Sequence, residues 1–141
     1  MFVHIANGAS EIYTIGQLRR NNPNISFPAR IPAATLAEYD VYEVTATQQP
    51  SYDSDTHIAT QAVELVDGVW VQVWVVKPLP QEQAEANIRL IRGNKLTESD
   101  WTQVADAPVD KHAWAKYRQA LRDVPLQPGF PYSAIWPEQP A

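Results

Sequence analysis

The side chains most able to hold a metal ion lie in Asp53-Ser54-Asp55-Thr56-His57. In an extended loop, alternate Asp, Asp and His side chains project the same way and can share one cation. The same residues also make a polar turn leading into a strand, because Asp and Ser bond their own backbone. No glycine turn and no downstream Glu completes a calcium loop. A hydrolytic triad needs a Ser activated by His and Asp. The chain has six Ser and three His but no Gly-x-Ser-x-Gly elbow. His4 falls in an expected strand and His112 at an expected helix start. Five glycines leave little material for a phosphate-cradling loop. There is no cysteine, which removes disulfides, thiolate nucleophiles and thiolate metal sites. The expectation is a protein without catalytic, cofactor-binding or metal residues, with a metal-dependent enzyme using Asp53, Asp55 and His57 as the weakest rival.

Charge narrows the partners. The net charge is −5 over 141 residues, and no Lys or Arg lies between Arg30 and Lys77. Residues 1–76 hold three Arg against eight Asp and Glu, while residues 77–141 balance. A nucleic-acid binder needs a basic face to neutralise phosphates, and an acidic first half repels phosphate and anionic lipid alike. The N-terminus has no basic segment followed by a long apolar stretch, so it is not read as a secretory signal. Val69–Val76 is the most apolar run, and a membrane-spanning helix needs about 20 such residues. The reading is a soluble protein with neither nucleic-acid nor membrane partners.

The elements that must carry these residues form an α+β chain: a mixed N-terminal region, 1–77, with an antiparallel β-hairpin or meander, then a helical C-terminal region, 78–141. Phe2–Ile5 alternates as a short strand. Thr14 and Gln17 have capping-box spacing and open a short helix to about Arg20, which Asn21-Asn22-Pro23 stops. Thr35 and Glu38 have the same spacing over a shorter turn. Val41–Thr45 reads as a strand. The clearest local signal is the hairpin over 58–76, whose two runs flank Asp67-Gly68, a pair suited to positive φ. Its second strand alternates Val69, Val71, Val73 and Val75 with Trp70, Gln72, Trp74 and Val76. Both faces are apolar, so the strand is expected inside the sheet or covered on both sides, with Trp70 and Trp74 in the core. Ala84, Ile88 and Ile91 form an inward helical stripe. Gly93 weakens this helix, which either stops near Arg92 or continues to Leu96. Asp110 caps a second helix with Trp114, Tyr117 and Leu121 on one face. From Pro125 to residue 141 the prolines favour an extended tail.

Aromatic residues are the remaining signal. Interface centres are enriched in them, and Trp101, Trp114, Tyr117, Phe130, Tyr132, Ile135 and Trp136 are the candidate partner-binding residues. For Trp101 and Trp114 the competing role is packing the two helices together. Trp136 docks either on its own domain or on a partner.

The order of these residues resembles a known family. Ser99-Asp100-Trp101-Thr102-Gln103, then Asp106 and Pro108, then Trp114 with Tyr117-Arg118-Gln119-Ala120-Leu121-Arg122-Asp123, then Gly129-Phe130-Pro131 and Trp136-Pro137, is similar to the phage tail assembly chaperone family. Leu18-Arg19-Arg20, Ser26-Phe27-Pro28 and the Asp67-Gly68, Trp70, Trp74 hairpin are looser matches to the N-terminal part that accompanies that motif. The resemblance implies a bacteriophage tail or tail-fibre assembly protein that binds a fibre subunit in the host cytoplasm and aids its folding, oligomerisation or attachment. A structural component retained in the virion tail, such as a fibre adaptor, fibre tip or baseplate protein, is the alternative. The resemblance implies no catalytic residue.

Overall fold

The computed structural model describes residues 1–141. Five strands and four helices follow one another as β1 (Phe2–Ala6), β2 (Ala9–Tyr13), α1 (Ile15–Asn21), α2 (Ala33–Ala37), β3 (Val41–Thr45), β4 (His57–Val66), β5 (Val69–Pro78), α3 (Gln81–Glu98) and α4 (Lys111–Asp123). The fold is α+β, with the sheet first and the long helices last. No helix is long and apolar enough to cross a membrane. Two compact units are present: Met1–Ser51 with Ala59–Val76, and Tyr52–Ile58 with Lys77–Ala141.

The first unit is a five-stranded sheet in the order β2-β1-β3-β5-β4. Asn7 and Gly8, both at positive φ, turn β1 into β2, so that Phe2 faces Tyr13 and Ala6 faces Ala9. Asn-Gly is a strong hairpin signal, and β2 was missing from the strands expected from sequence. Asp67 (φ 48°) and Gly68 (φ 79°) make the expected second turn. The pairing of β3 with β5 is parallel, Val44 opposite Trp70 and Thr45 opposite Val71, which no local pattern announced.

Thr14 forms the expected capping box. Its Oγ accepts from the Gln17 N–H at 3.1 Å, and its own N–H donates to Gln17 Oε1 at 2.8 Å. The cap aims Leu18, 1% exposed, into a core with Tyr13, Leu36 and Val41, ringed by Phe2, Ile15, Phe27, Ile31 and Tyr39. The second capping box does not form: α2 starts after Pro32 without a side-chain cap, and Thr35 sits inside the helix. Trp70 and Trp74 are half-buried rather than core residues. The buried residue of β5 is Gln72, whose Oε1 accepts from Thr47 N–H at 3.0 Å and whose carbonyl accepts from Thr47 Oγ at 2.8 Å. Trp74 Nε1 donates to the same residue's carbonyl at 3.3 Å. A polar strap therefore lies where the alternation pattern placed apolar packing.

In the second unit, α3 runs through Gly93 to Glu98, beyond either expected end. A helix propensity deficit of about 1 kcal/mol at one glycine is outweighed by burial of Ala84 and Ile88. Asp110 caps α4 as expected, accepting from the N–H groups of His112 at 3.0 Å and Ala113 at 3.1 Å. After α4 a short 3-10 turn spans Val124–Leu126, further turns follow to Ser133, and residues 134–141 form no helix or strand. Tyr52–Ile58 joins this unit through Leu79 N–H donating to Thr56 carbonyl (2.8 Å) and Asn87 Nδ2 donating to Asp55 carbonyl (2.9 Å).

Candidate partner-binding surface

The second unit is assembled around one buried cation. Arg118, on the core face of α4, is 8% exposed. Its Nη1 donates to the Leu96 carbonyl at 2.6 Å and to Ser99 Oγ at 2.7 Å, and its Nη2 to Asp100 Oδ1 at 2.6 Å. The last carbonyls of a helix lack partners within it and carry partial negative charge. Arg118 therefore closes the end of α3 and fixes the turn that follows. Thr102 Oγ donates to the Ser99 carbonyl at 2.6 Å within that turn. Ser99 and Thr102 are buried although polar, and each is satisfied.

The turn places the aromatics. Trp114, Tyr117 and Leu121 form a second core, with Leu96, Val109 and Trp136 packed on it. Trp114 meets Tyr117 edge to face at 5.6 Å and Trp101 at 6.2 Å. The Trp114 indole N–H is buried and meets no acceptor, so packing alone holds that ring. Lys95 Nζ sits 5.5 Å from the Trp136 ring centre and the Arg89 guanidinium 5.1 Å from that of Phe130, both within cation–π range. A small cleft of about 100 Å³ is lined by Lys95, Glu98, Trp101, Trp114, Tyr117 and the tail residue Gln139. Near the start of α3, hydrogen bonds from Gln81 and then from Arg89 hold the Glu85 carboxyl below its usual value.

The seven sequence candidates thus occupy different environments. Trp114 and Tyr117 are buried and offer little surface, whereas Trp101 is 50% exposed. Trp136 is half-buried on the core that Trp114 and Tyr117 build. Tyr132 is half-buried, donates its hydroxyl to the Leu79 carbonyl at 2.7 Å and stacks edgewise on His57 at 6.0 Å. Ile135 is 75% exposed, yet its backbone is held at both groups: its N–H donates to Gln127 Oε1 at 2.7 Å and its carbonyl accepts from Gln127 Nε2 at 2.8 Å. The tail presents that apolar side chain on an anchored segment.

Within residues 85–141, three exposed apolar residues were missed, Leu90, Val104 and Leu126. Leu126 is 80% and Leu90 66% exposed. Leu90 was legible as the apolar residue of α3 that falls off the Ala84, Ile88 and Ile91 stripe. Leu126 was hidden in the proline-rich segment. The acidic loop does local work: Asp53 Oδ1 accepts from Asp55 N–H at 2.9 Å, and Thr56 Oγ lies 2.8 Å from His57 Nδ1. No three His, Asp or Glu side chains gather as a metal-ligating group.

Residues 85–141, the stretch organised by Arg118, match the family model of the phage tail assembly chaperone protein. The similarity to the phage tail assembly chaperone family covers this C-terminal segment, 57 of the 141 residues. No curated protein and no solved structure matches the chain. The matched segment takes in Arg118, the aromatic core and the anchored tail.

Proposed function

We propose that this protein binds a tail-fibre subunit of a bacteriophage and aids its folding, oligomerisation or attachment, acting by contact and without a catalytic step. The observation that carries the reading is the set of exposed apolar side chains in the matched segment. Trp101, Leu126 and Ile135 stand 50%, 80% and 75% exposed on a framework fixed by Arg118 and Gln127. Side chains that a folded protein leaves in water and holds by their backbone are suited to contact with another protein. Fibre subunits expose apolar ends and strand edges before they trimerise, and apolar side chains held on a fixed backbone contact such regions at low entropic cost.

The test is co-expression with a tail-fibre protein of the same phage. Soluble, trimeric fibre is expected with the wild-type chain and aggregated fibre without it. Equal trimer yield in both would end the proposal.

A further inference from the structure

The sheet of the first unit treats its two edges differently. β2 is short and carries Ser10 and Glu11. β4 is ten residues long, His57–Val66, with Glu64 as its one acidic residue and neither Lys nor Pro. Proteins blunt exposed edges with lysine, proline or shortness, and β4 has none of these.

The groups on that edge can be assigned. A two-residue turn at positive φ sets Val66 opposite Val69 and fixes the alternation of inward and outward backbone groups. The Thr60 hydroxyl donates to the Val75 carbonyl at 3.3 Å, in keeping with that register. The N–H and C=O groups of Ala59, Gln61, Val63 and Leu65 then point away from β5. None of them bonds to a turn or loop elsewhere. Leu65 is 57% exposed.

We propose that the outer edge of β4 receives an extended strand of the tail protein, apolar along one face and flanked by Lys or Arg, by antiparallel or parallel strand addition. The partner's backbone would bond the free groups of 59, 61, 63 and 65, and its apolar side chains would extend the row begun by Val63 and Leu65. The basic flanks follow from charge. Glu64 and Asp67 lie at this edge, and no Lys or Arg occurs from residue 31 to 76. A second copy would bring the same acidic edge to itself, so the occupant is a strand of opposite charge. The idea rests on the proposed fibre-binding role for the partner's identity but not for the edge chemistry.

The experiment uses the full chain, labelled with nitrogen-15, and three synthetic peptides. The first is ten alternating Val and Thr residues with two Lys at each end, the second has Glu ends, and the third is the Lys peptide N-methylated at every second residue. The Lys peptide should slow amide exchange at Gln61, Val63 and Leu65 at least tenfold while Ala62 and Glu64 stay as they were. The Glu-ended peptide should bind about tenfold more weakly, the order expected from losing a few exposed charge pairs. The N-methylated peptide should give no protection. Unchanged exchange at 61, 63 and 65 would overturn the proposal, as would equal binding of the Lys and Glu peptides. Concentration-dependent protection without peptide would mean that a second copy occupies the edge, and would also overturn it. Failure here with fibre rescue intact in co-expression removes strand addition alone. Loss of fibre rescue with the edge binding the peptide removes the fibre role alone.

Discussion

Replacing Arg118 tests whether its buried guanidinium holds the end of α3 and the turn after it. Its guanidinium is almost wholly buried, whereas its partner Asp100 keeps 63% of its side chain exposed. The three hydrogen bonds are therefore unequal. The bond to Asp100 resembles a surface ion pair and contributes about 0–1 kcal/mol. The bonds to Leu96 carbonyl and Ser99 Oγ lie inside, and hydrogen bonds from a charged donor contribute about 1.5–3 kcal/mol each. Neither acceptor is orphaned by truncation, because Leu96 carbonyl still accepts from Ser99 N–H at 3.2 Å and Ser99 Oγ still donates to Lys95 carbonyl at 2.8 Å. The lower end of the range applies, so Arg118→Ala should cost about 3–4 kcal/mol. Arg118→Lys keeps the charge but not the fork, and should cost about half of that. With a urea dependence of about 1.5–2 kcal/mol per molar, the Ala midpoint should fall by about 2 M and the Lys midpoint by about 1 M. Amide exchange at Ser99, Trp101 and Thr102 locates the loss in the turn after α3. An Ala shift below about 0.5 M, or a Lys variant equal to wild type, would refute the reasoning, since either would make Arg118 an ordinary surface cation. A double-mutant cycle with Asp100→Ala should return a coupling of about 1 kcal/mol or less.

Ile135→Ser and Leu126→Ser should leave stability within about 0.5 kcal/mol, because both side chains already stand in water, and should lower soluble fibre yield in co-expression. Trp136→Ala should lower both, costing about 1–2 kcal/mol for a half-buried ring on the Trp114 core and weakening fibre binding beyond that loss in a pull-down at fixed folded concentration. Gly129→Ala should destabilise the turn before Ser133, since an added Cβ would meet the Ser133 carbonyl oxygen at 2.8 Å; a melting temperature equal to wild type would show that the turn yields freely. Glu85 titrates below its usual value of 4.5 because Gln81, and then Arg89, donate to it. A depressed carboxyl stabilises the fold above its unfolded pKa and loses that stabilisation as pH falls through the folded one. Carbon-13 titration should therefore place its midpoint below 4.5, and Gln81→Ala should raise that midpoint more than Arg89→Gln.

What the sequence made legible was whatever two or three neighbouring residues decide. The Thr14 box, the Asp67-Gly68 turn and the Asp110 cap are local hydrogen-bond or φ requirements, and each forms where its residues stand. The phage tail resemblance was legible for the same reason, as an ordered string of residues. Pairing across distance was not. The parallel contact of β3 with β5 joins Val44 to Trp70, 26 positions apart, and no periodicity carries that information. Alternation also misplaced the core of β5, because it scores Trp70 and Trp74 as apolar and cannot see that Thr47 comes back to satisfy Gln72 between them.

Arg118 shows why the candidate surface was only half readable. Within the resemblance it was one letter in a run, and by type it belongs outside, since arginine is seldom buried unless paired. Its pairing is with Leu96, Ser99 and Asp100, residues 22, 19 and 18 positions away, brought near only when α4 folds back on α3. Once it is buried, the aromatics sort themselves. Trp114 and Tyr117 share its face of α4 and go inward, while Trp101, on the turn that Arg118 holds, stays half in water. Aromatic type marks a residue as able to carry binding energy, but the buried cation decides which of these rings is left free to do so. Exposure set by a fixed framework is therefore the better guide to a partner surface than aromatic content, and it moves the emphasis from Trp114 and Tyr117 to Trp101, Leu126 and Ile135.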